Sequence, residues 1–441
     1  MLKSLLKKGM KDSNYYLIEK LGSRGLAFII IPIISRLLGV EAFADYDLFV
    51  YSCTLLGIFT ILGIDSGIVI LLSEYKEDIK ILSFYYVFSL CLSTLLSLVI
   101  GSSFTIVSYL NGPIFIINYP IWFLITFFLI FSGITYQTFN FLRWRERAKD
   151  AAIISLLGYV LGILIGITLL YYFQSLLSYL LGLVLGQFIS AIYSLFIAKS
   201  LIFNFIILEN SFDKIKELLF LSIPFAVNYI GNTAIQFTDR FVILLMFGKF
   251  ELGIFALVMK LSMIPQVLFN TLISGFLPVM YNNYKTNSGI TLIRRFFHIY
   301  LLSIPILFII TYIFSDKILL FFGGEKYTEG GGLLAISLVS ILLVNSPQLN
   351  SMSYTIARKT KYITYVTFIS VFVNLFLSLV LCQKYGLLGV IYGTMLGGVF
   401  RTCLHSYFSE KIYSFQYSKI LIIGVCVITI IESTFVLLGY I

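Results

Sequence analysis

Long apolar segments follow one another along almost the whole chain, and this pattern constrains the fold more than any other feature. A helix needs about 20 mostly apolar residues to cross the hydrocarbon core of a bilayer. Twelve runs reach that length, at residues 15–38, 43–72, 81–110, 114–142, 151–173, 175–198, 218–247, 252–280, 296–314, 330–356, 362–381 and 386–408. The sequence therefore predicts an all-α polytopic membrane protein with twelve core transmembrane helices.

Composition excludes the soluble classes. Hydrophobic residues make up 59% of the 441 positions and charged residues only 12%, whereas a soluble domain carries about 25% charged residues. So little charge cannot cover a water-soluble surface, which rules out a soluble enzyme, a DNA-binding domain and a disordered scaffold. The net charge of +10 reports loop topology in such a chain and does not indicate a nucleic-acid partner.

An internal repeat predicts two bundles of six helices. The Gly-aromatic pattern at the exit of the first span, residues 38–46, recurs at the exit of the seventh, residues 247–255, an offset of 209 residues. The same offset carries spans one to six onto spans seven to twelve. We expect an N-terminal lobe over residues 1–200, a cytoplasmic linker over 201–216 and a C-terminal lobe over 217–411. The hydrophobic segment 412–441 contains an apolar run long enough for a thirteenth span, although Glu432 lies within it.

The placement of Lys and Arg predicts the orientation. These residues are concentrated at the N-terminus and in alternate loops, while the loops of the opposite side hold only Lys249, Lys317, Lys326 and Lys384. Cytoplasmic loops are enriched in Lys and Arg. The N-terminus is therefore predicted to be cytoplasmic.

Charged residues inside the first two spans form one candidate site. Lys20 and Arg24 are four residues apart, hence on one helical face, and Glu19 precedes them. Asp65 in the second span reaches a depth similar to that of Arg24, so the two side chains could pair. A charge in the bilayer centre costs at least about 2.5 kcal/mol on insertion scales. The pair is therefore either a structural salt bridge or part of a transport pathway.

The seventh span carries a second candidate site. Its polar residues recur at steps of four and mark one stripe of an apolar helix, at Asn228, Asn232, Gln236 and Arg240, with Asp239 beside the last. The stripe should face a water-filled cavity or neighbouring helices. Lys260 in the eighth span adds a cation whose partner is either Asp239 or an anionic substrate. Together the intramembrane charges have a slight positive excess, which suits a pyrophosphate group.

Signals for catalysis are weak. The two histidines, His298 and His405, lie on different helices without an acidic cluster beside them, and the five cysteines show no paired spacing. The glycine-rich segment 323–332 lacks the Lys-Ser/Thr of a phosphate-binding loop. We expect no catalytic residue, no metal site and no cofactor, hence no enzyme.

Short motifs then identify a family. They are residues 35–39, 43–46, 223–224, 239–240, 247–255 and 385–390. In order and spacing the chain resembles the polysaccharide (O-antigen type) flippases of the multidrug/oligosaccharidyl-lipid/polysaccharide exporter superfamily. The resemblance implies a MATE-like fold with two lobes around a central cationic cavity. It implies export of an undecaprenyl-pyrophosphate-linked oligosaccharide repeat unit across the bacterial cytoplasmic membrane by alternating access.

Within this reading the pyrophosphate would dock on Lys20, Arg24, Arg240 and Lys260, with Asn228, Asn232 and Gln236 along the same cavity. Glu19, Asp65 and Asp239 would pair with the cations or couple transport to a proton or sodium gradient, and other polysaccharide assembly proteins could be partners. Three alternatives remain: a drug or cation antiporter, which would need an acid-dominated cavity, a lipid II flippase, expected to carry two further C-terminal helices, and a membrane polymerase or acyltransferase, which commonly exposes a long external loop.

Overall fold

Helices account for almost all of the chain that the structure describes. The computed structural model describes residues 15, 19, 22–23, 25–26, 28–74, 78–114, 117–145, 147–208, 210–357, 359 and 361–439. Across these residues the β-structure is limited to an isolated bridge between Ile114 and Ile117. The predicted all-α architecture is confirmed.

The described helices fall into two compact units, one ending at Thr233 and one beginning at Ala234. The helices that begin in the first unit are α1 (Phe28–Leu38), α2 (Val40–Ile61), α3 (Ile64–Glu74), α4 (Ile79–Asn111), α5 (Tyr119–Trp144), α6 (Ala148–Phe173), α7 (Leu176–Ile197), α8 (Lys199–Phe203) and α9 (Ser211–Phe247). The second unit continues with α10 (Lys249–Asn283), α11 (Asn287–Phe322), a 3-10 turn (Glu325–Gly330), α12 (Gly331–Asn345), α13 (Pro347–Ile356), α14 (Lys361–Ile412) and α15 (Lys419–Leu438). The predicted lobes, divided at a linker over residues 201–216, stay a prediction.

Ten helical segments among the described residues are long and apolar enough to cross a membrane. About 17 to 25 residues of helix span the hydrocarbon core, and a tilted helix needs more. The C-terminal run, predicted as a thirteenth span, forms α15, a helix of 20 residues. The chain is a multi-pass membrane protein.

The second predicted span is not continuous, since a sharp turn separates α2 from α3. Leu62 adopts a left-handed conformation (φ 52°) and Gly63 follows with φ 69°. A Cβ on Gly63 would lie 2.5 Å from the carbonyl oxygen of Ser222 and 2.8 Å from the backbone nitrogen of Ala226. Glycine is therefore required at this turn, both for its backbone angles and because α9 approaches so closely.

Helix α14 contains two antiparallel halves. Its 52 residues would measure about 78 Å if straight, far more than a bilayer core. Gly386 interrupts the helix with φ 60° and ψ −141°, and the hydroxyl of Ser378 donates to the carbonyl oxygen of Val390 at 3.2 Å. The two halves are thus the eleventh and twelfth predicted spans, joined by a tight reversal.

A cluster of buried apolar residues forms part of the core of the first unit. Buried residues of α3, α4 and α5 pack there with α8 and the start of α9; the cluster includes Ile64, Ile68, Leu71, Leu82, Tyr85, Tyr86, Phe141, Leu201 and Leu218. At the start of α4 the Asp78 carboxylate accepts hydrogen bonds from the backbone N–H groups of Lys80 and Ile81 at 2.9 and 3.2 Å. This cap fixes where α4 begins.

Candidate functional site

In the first unit, three helices converge on the carboxylate of Asp65. This residue lies in the first turn of α3, directly after the Leu62–Gly63 break, where the helix dipole favours a negative charge. Its Oδ2 accepts a hydrogen bond from the hydroxyl of Tyr136 on α5 at 2.9 Å. The hydroxyl of Tyr229 on α9 lies 3.5 Å from the same oxygen. Phenol groups therefore hold this intramembrane carboxylate in place.

Tyr229 also links α9 to α3 independently of the carboxylate. Its hydroxyl is 2.8 Å from the hydroxyl of Ser66, the neighbour of Asp65 in sequence. Two adjacent residues of α3 thus share one tyrosine. The arrangement fixes the start of α3 against the first half of α9, and it leaves Oδ1 of Asp65 without a hydrogen bond to any described group.

The predicted cations of the first span lie outside the described residues. Lys20 and Arg24 belong to the part of the chain for which no structure is given, so the pairing of Arg24 with Asp65 stays a prediction. Glu19 is described, and its Oε1 accepts a hydrogen bond from the hydroxyl of Ser155 on α6 at 2.7 Å. A serine therefore contacts the acidic residue of this predicted group.

The polar stripe of the seventh span lies on the continuous helix α9. Backbone geometry is helical from Ser211 to Phe247, so the positions of Asn228, Asn232, Gln236 and Arg240 share one face. The side chains of the first three are outside the description. Their role in lining a cavity stays a prediction.

Asp239 and Arg240 are both buried inside the second unit, with 3% and 1% of their surfaces exposed. The guanidinium carbon of Arg240 lies 5.4 Å from the centre of the Phe255 ring on α10, a cation–π contact. Both carboxylate oxygens of Asp239 are 3.0 Å from the hydroxyl of Thr394 on α14. Lys260, also on α10, is only partly buried.

This placement limits what Arg240 can do in the conformation seen. A lipid headgroup can contact only side chains that are exposed, and almost none of the surface of Arg240 is exposed. Arg240 and Asp239 are consecutive, so their side chains leave α9 about 100° apart. One contacts an aromatic ring and the other a hydroxyl, on two different helices.

Sequence reasoning missed the polar partners of both carboxylates. Tyr136 and Thr394 are 71 and 155 residues away from the acids that they contact, and single-helix periodicity cannot connect such distant positions. One signal was available, because polar residues recur at steps of three or four along the first half of α14, at Thr367, Ser370, Asn374 and Ser378. All four are buried.

Two cavities of the second unit lie away from these groups. One of ≈ 680 Å³ is bordered by α11, α12, α14 and α15, and it includes Tyr312, Asp316 and Glu432. A second of ≈ 280 Å³ includes Glu251 and Glu329. Neither Arg240 nor Lys260, the predicted headgroup-binding residues whose side chains are described, lines either cavity. Among the described residues, no three His, Cys, Asp or Glu side chains come together as metal ligands.

A family model described as "Polysaccharide biosynthesis protein" matches residues 10–283. The chain is 25% identical over 385 residues to a protein of Haemophilus influenzae described as an uncharacterized membrane protein, with 83% of this chain and 88% of that protein covered. It is 26% identical over 239 residues to the capsular polysaccharide biosynthesis protein CapF of Staphylococcus aureus, covering 50% and 60%. It is 31% identical over 148 residues to the "probable low-salt glycan biosynthesis flippase Agl15" of Haloferax volcanii, covering 32% and 29%.

Solved membrane transport proteins share the fold. The lipid II flippase MurJ in an inward closed conformation superposes with a TM-score of 0.69 at 17% identity, covering 98% of both chains. A multidrug MATE family transporter of the MOP superfamily, in an inward-facing conformation, gives a TM-score of 0.66 at 15% identity, covering 91% of this chain and 95% of that one. The predicted MATE-like fold is confirmed by these two likenesses.

Proposed function

Because the chain belongs to the polysaccharide biosynthesis protein family, we propose that it is a flippase that moves lipid-linked oligosaccharides across a membrane, a transporter and not an enzyme. Two relatives support the substrate class, since one is named for capsular polysaccharide biosynthesis and the other as a glycan biosynthesis flippase. These names favour a glycan carried on lipid over a drug as the cargo.

The observation that carries the proposal is the presence of ionisable groups within apolar helices of both units. Asp65 in the first unit and the adjacent Asp239 and Arg240 in the second lie within segments that should otherwise be uncharged. Charges inside a membrane are expensive, and they mark transport pathways by default. A protein that only anchored others in the bilayer would have no need of them.

The proposed substrate is an undecaprenyl-pyrophosphate-linked repeat unit, with the bilayer itself holding its prenyl tail. Lys20, Arg24, Arg240 and Lys260 would bind the pyrophosphate through charge-assisted hydrogen bonds, and Asn228, Asn232 and Gln236 would line the path of the sugars. Since Arg240 is buried in the conformation seen, its contact with the headgroup belongs to a different step of the cycle.

The proposed mechanism is alternating access in the bacterial cytoplasmic membrane, with a cytoplasmic N-terminus. Inward-facing and outward-facing conformations are both known for MATE transporters that share this fold. The acidic residues Glu19, Asp65 and Asp239 would hold cationic groups when no substrate is present. Polysaccharide assembly proteins that supply or consume the lipid-linked unit are the expected partners.

A deletion strain tests the function directly. Loss of the protein should cause lipid-linked repeat units to accumulate on the inner leaflet, and plasmid-borne wild type should restore export. Arg24→Ala and Lys260→Ala should fail to restore it although the variants reach the membrane in normal amounts. Lys411→Ala, which removes an exposed cation at the end of α14, is the matched control and should export normally. Full export by both pathway variants would contradict the proposed headgroup site.

A further inference from the structure

Two of the five cysteines lie in contact between the last two helices of the second unit. The Sγ atoms of Cys403 on α14 and Cys426 on α15 are 3.9 Å apart, within the distance at which two side chains are in contact. The two residues are 23 positions apart in the sequence, a separation that gives no sign of their pairing. Helix packing therefore brings together two thiols that the sequence does not connect.

The contact between the thiols depends on antiparallel packing of α15 against the second half of α14. The same two helices are joined at another level, because the hydroxyls of Tyr392 and Thr434 lie 2.7 Å apart. Tyr392 precedes Cys403 on α14, whereas Thr434 follows Cys426 on α15, which is the order that antiparallel helices give. Contacts at two levels of the helix pair therefore fix the position of the two thiols.

The short connection between these helices is also held in place. Glu410, near the end of α14, accepts hydrogen bonds from the backbone N–H groups of Phe415 and Tyr417 at 2.9 and 3.1 Å. At the start of α15 the backbone N–H of Ser418 donates to Nε2 of His298 on α11 at 3.1 Å. Both helices are therefore anchored at the end where they are joined, which keeps the two thiols in contact.

The two sulfur atoms differ in their access to small molecules. Cys403 is partly exposed, whereas only 4% of the surface of Cys426 is exposed. Reversible oxidation of cysteine begins on an accessible sulfur and ends in a disulfide where a second thiol is adjacent. Cys382 offers a contrast, because its Sγ lies 3.2 Å from the thioether sulfur of Met246, which has no hydrogen to lose and cannot form a disulfide.

We propose that Cys403 and Cys426 are a redox modification site, at which a hydroperoxide forms a reversible disulfide between α14 and α15. The sulfur of Cys403 attacks one oxygen of hydrogen peroxide and the O–O bond breaks. The other oxygen leaves as water with the proton of the thiol, and Cys403 becomes a sulfenic acid. The sulfur of Cys426 then displaces the hydroxyl group of that acid, which leaves as a second water with the proton of Cys426.

The overall step removes two electrons and two hydrogens from the thiols and reduces one hydrogen peroxide to two waters. Thiols of proteins inside cells are kept reduced, and the disulfides that form there are usually transient and redox-sensing. The disulfide closes a loop that contains the end of α14 and the start of α15, which removes conformational freedom from the unfolded chain. The oxidised protein should therefore unfold at a higher temperature than the reduced protein.

Peptide mapping of the purified full-length protein tests the pairing. The protein is reduced, freed from reductant and treated briefly with hydrogen peroxide in detergent, and the remaining thiols are alkylated under denaturing conditions. Trypsin cleaves after Arg401, Lys411 and Lys419, so that Cys403 and Cys426 lie on separate peptides, 402–411 and 420–441. These two peptides should be recovered as one disulfide-linked species that dithiothreitol separates. The protein should lose two of its five alkylation sites.

Single variants assign the effect to the pair. Cys403→Ser and Cys426→Ser should keep every remaining thiol after peroxide treatment, and their unfolding midpoints should not respond to it. Cys91→Ser is the matched control, because Cys91 is an exposed cysteine on α4 in the first unit. It should lose two alkylation sites, and peroxide should raise its midpoint by roughly 3 °C, as in the wild type.

Three results would overturn the assignment: retention of all five thiols in the wild type, a sulfinic acid on Cys403 without the linked peptides, or a peroxide-dependent disulfide between two copies of the chain on a non-reducing gel. The linked peptides are identified in the wild type, so the test does not depend on the folding of a variant. Disulfide formation requires no glycan and no export, so the flippase proposal is judged separately by the deletion strain.

Discussion

Two helical hairpins in this molecule pack in the same way and differ in what they enclose. In the first unit α6 and α7 approach through glycines on both sides, so that a Cβ on Gly182 would meet the backbone of Gly166 and one on Gly186 that of Gly162. In the second unit the glycines lie on one half of α14 only, and Ser378 and Asn374 face them.

The difference shows that the closest approach of two helices does not require polar side chains. The α6–α7 hairpin reaches backbone contact where glycine faces glycine, which is a common way for membrane helices to associate. Its buried polar residue Ser190 has a partner, since its hydroxyl donates to the carbonyl oxygen of Ile154 at 2.8 Å. The polar residues of α14 are therefore not needed for close packing. Their burial costs free energy unless each polar group has a hydrogen-bond partner. The following variants test the contrast.

The largest loss of stability should come from a larger side chain at the glycine contact between α6 and α7. Gly182→Val places a branched side chain where the carbonyl carbon of Ile165 is already 2.9 Å from a Cβ, so α6 and α7 must separate. Such overpacking against backbone should cost about 3 kcal/mol or more. Size-exclusion chromatography of the fluorescently tagged protein should show little monodisperse material.

Gly424→Val is the control, since a Cβ at Gly424 meets nothing within 4 Å. That variant should elute like the wild type. Monodisperse Gly182→Val at wild-type yield would show that the two helices are not packed as described.

A change that stabilises the protein is expected between the two halves of α14. Asn374→Leu replaces a buried amide that lacks a described partner with an apolar side chain of similar size. This change should stabilise the protein by about 1–3 kcal/mol, the typical cost of an unsatisfied buried polar group. The unfolding midpoint of the purified variant should rise above that of the wild type.

Destabilisation by Asn374→Leu would mean that the amide makes a protein hydrogen bond instead. That result would contradict the contrast between the two hairpins.

The smallest effect concerns Asp65 of the first unit, whose carboxylate is contacted by the hydroxyls of Tyr136 and Tyr229. Tyr136→Phe removes the 2.9 Å hydrogen bond to Asp65 and should cost about 1 kcal/mol, since hydrogen bonds to a charged group are worth more than neutral ones but Tyr136 is partly exposed. Thermal unfolding should show a fall of roughly 2 °C.

Tyr171→Phe serves as the reference, because 70% of Tyr171 is exposed at the end of α6. Its midpoint should match that of the wild type. An unchanged midpoint in Tyr136→Phe as well would indicate that the phenol does not anchor Asp65.

Much of the fold follows from local sequence, because hydropathy acts residue by residue along each helix. The spans of α4 to α7, the reversal at Gly386 and the C-terminal helix α15 all match runs that are visible in the sequence. The break in the second span was not predicted, since it depends on the close approach of α9 to Gly63, more than 150 residues away.

The candidate site was predicted only in its charged members. Apolar surroundings make a charge conspicuous, so Asp65, Asp239 and Arg240 could be selected from the sequence alone. Their contacts could not, because Tyr136 and Thr394 are common in membrane helices and become specific only when folding brings them to a carboxylate. The burial of Arg240 against Phe255 likewise depends on tertiary packing.

Translocation itself is measured most directly in proteoliposomes that contain a polyprenyl-pyrophosphate-linked glycan with a fluorescent sugar. A membrane-impermeant quencher reports how much of the label has reached the outer leaflet over time. Vesicles with the wild-type protein should expose the label many times faster than protein-free vesicles, and Arg24→Ala should reduce the rate by at least about tenfold. Exposure at the protein-free rate, with the protein folded and inserted in both orientations, would contradict the assignment as a lipid-linked glycan flippase.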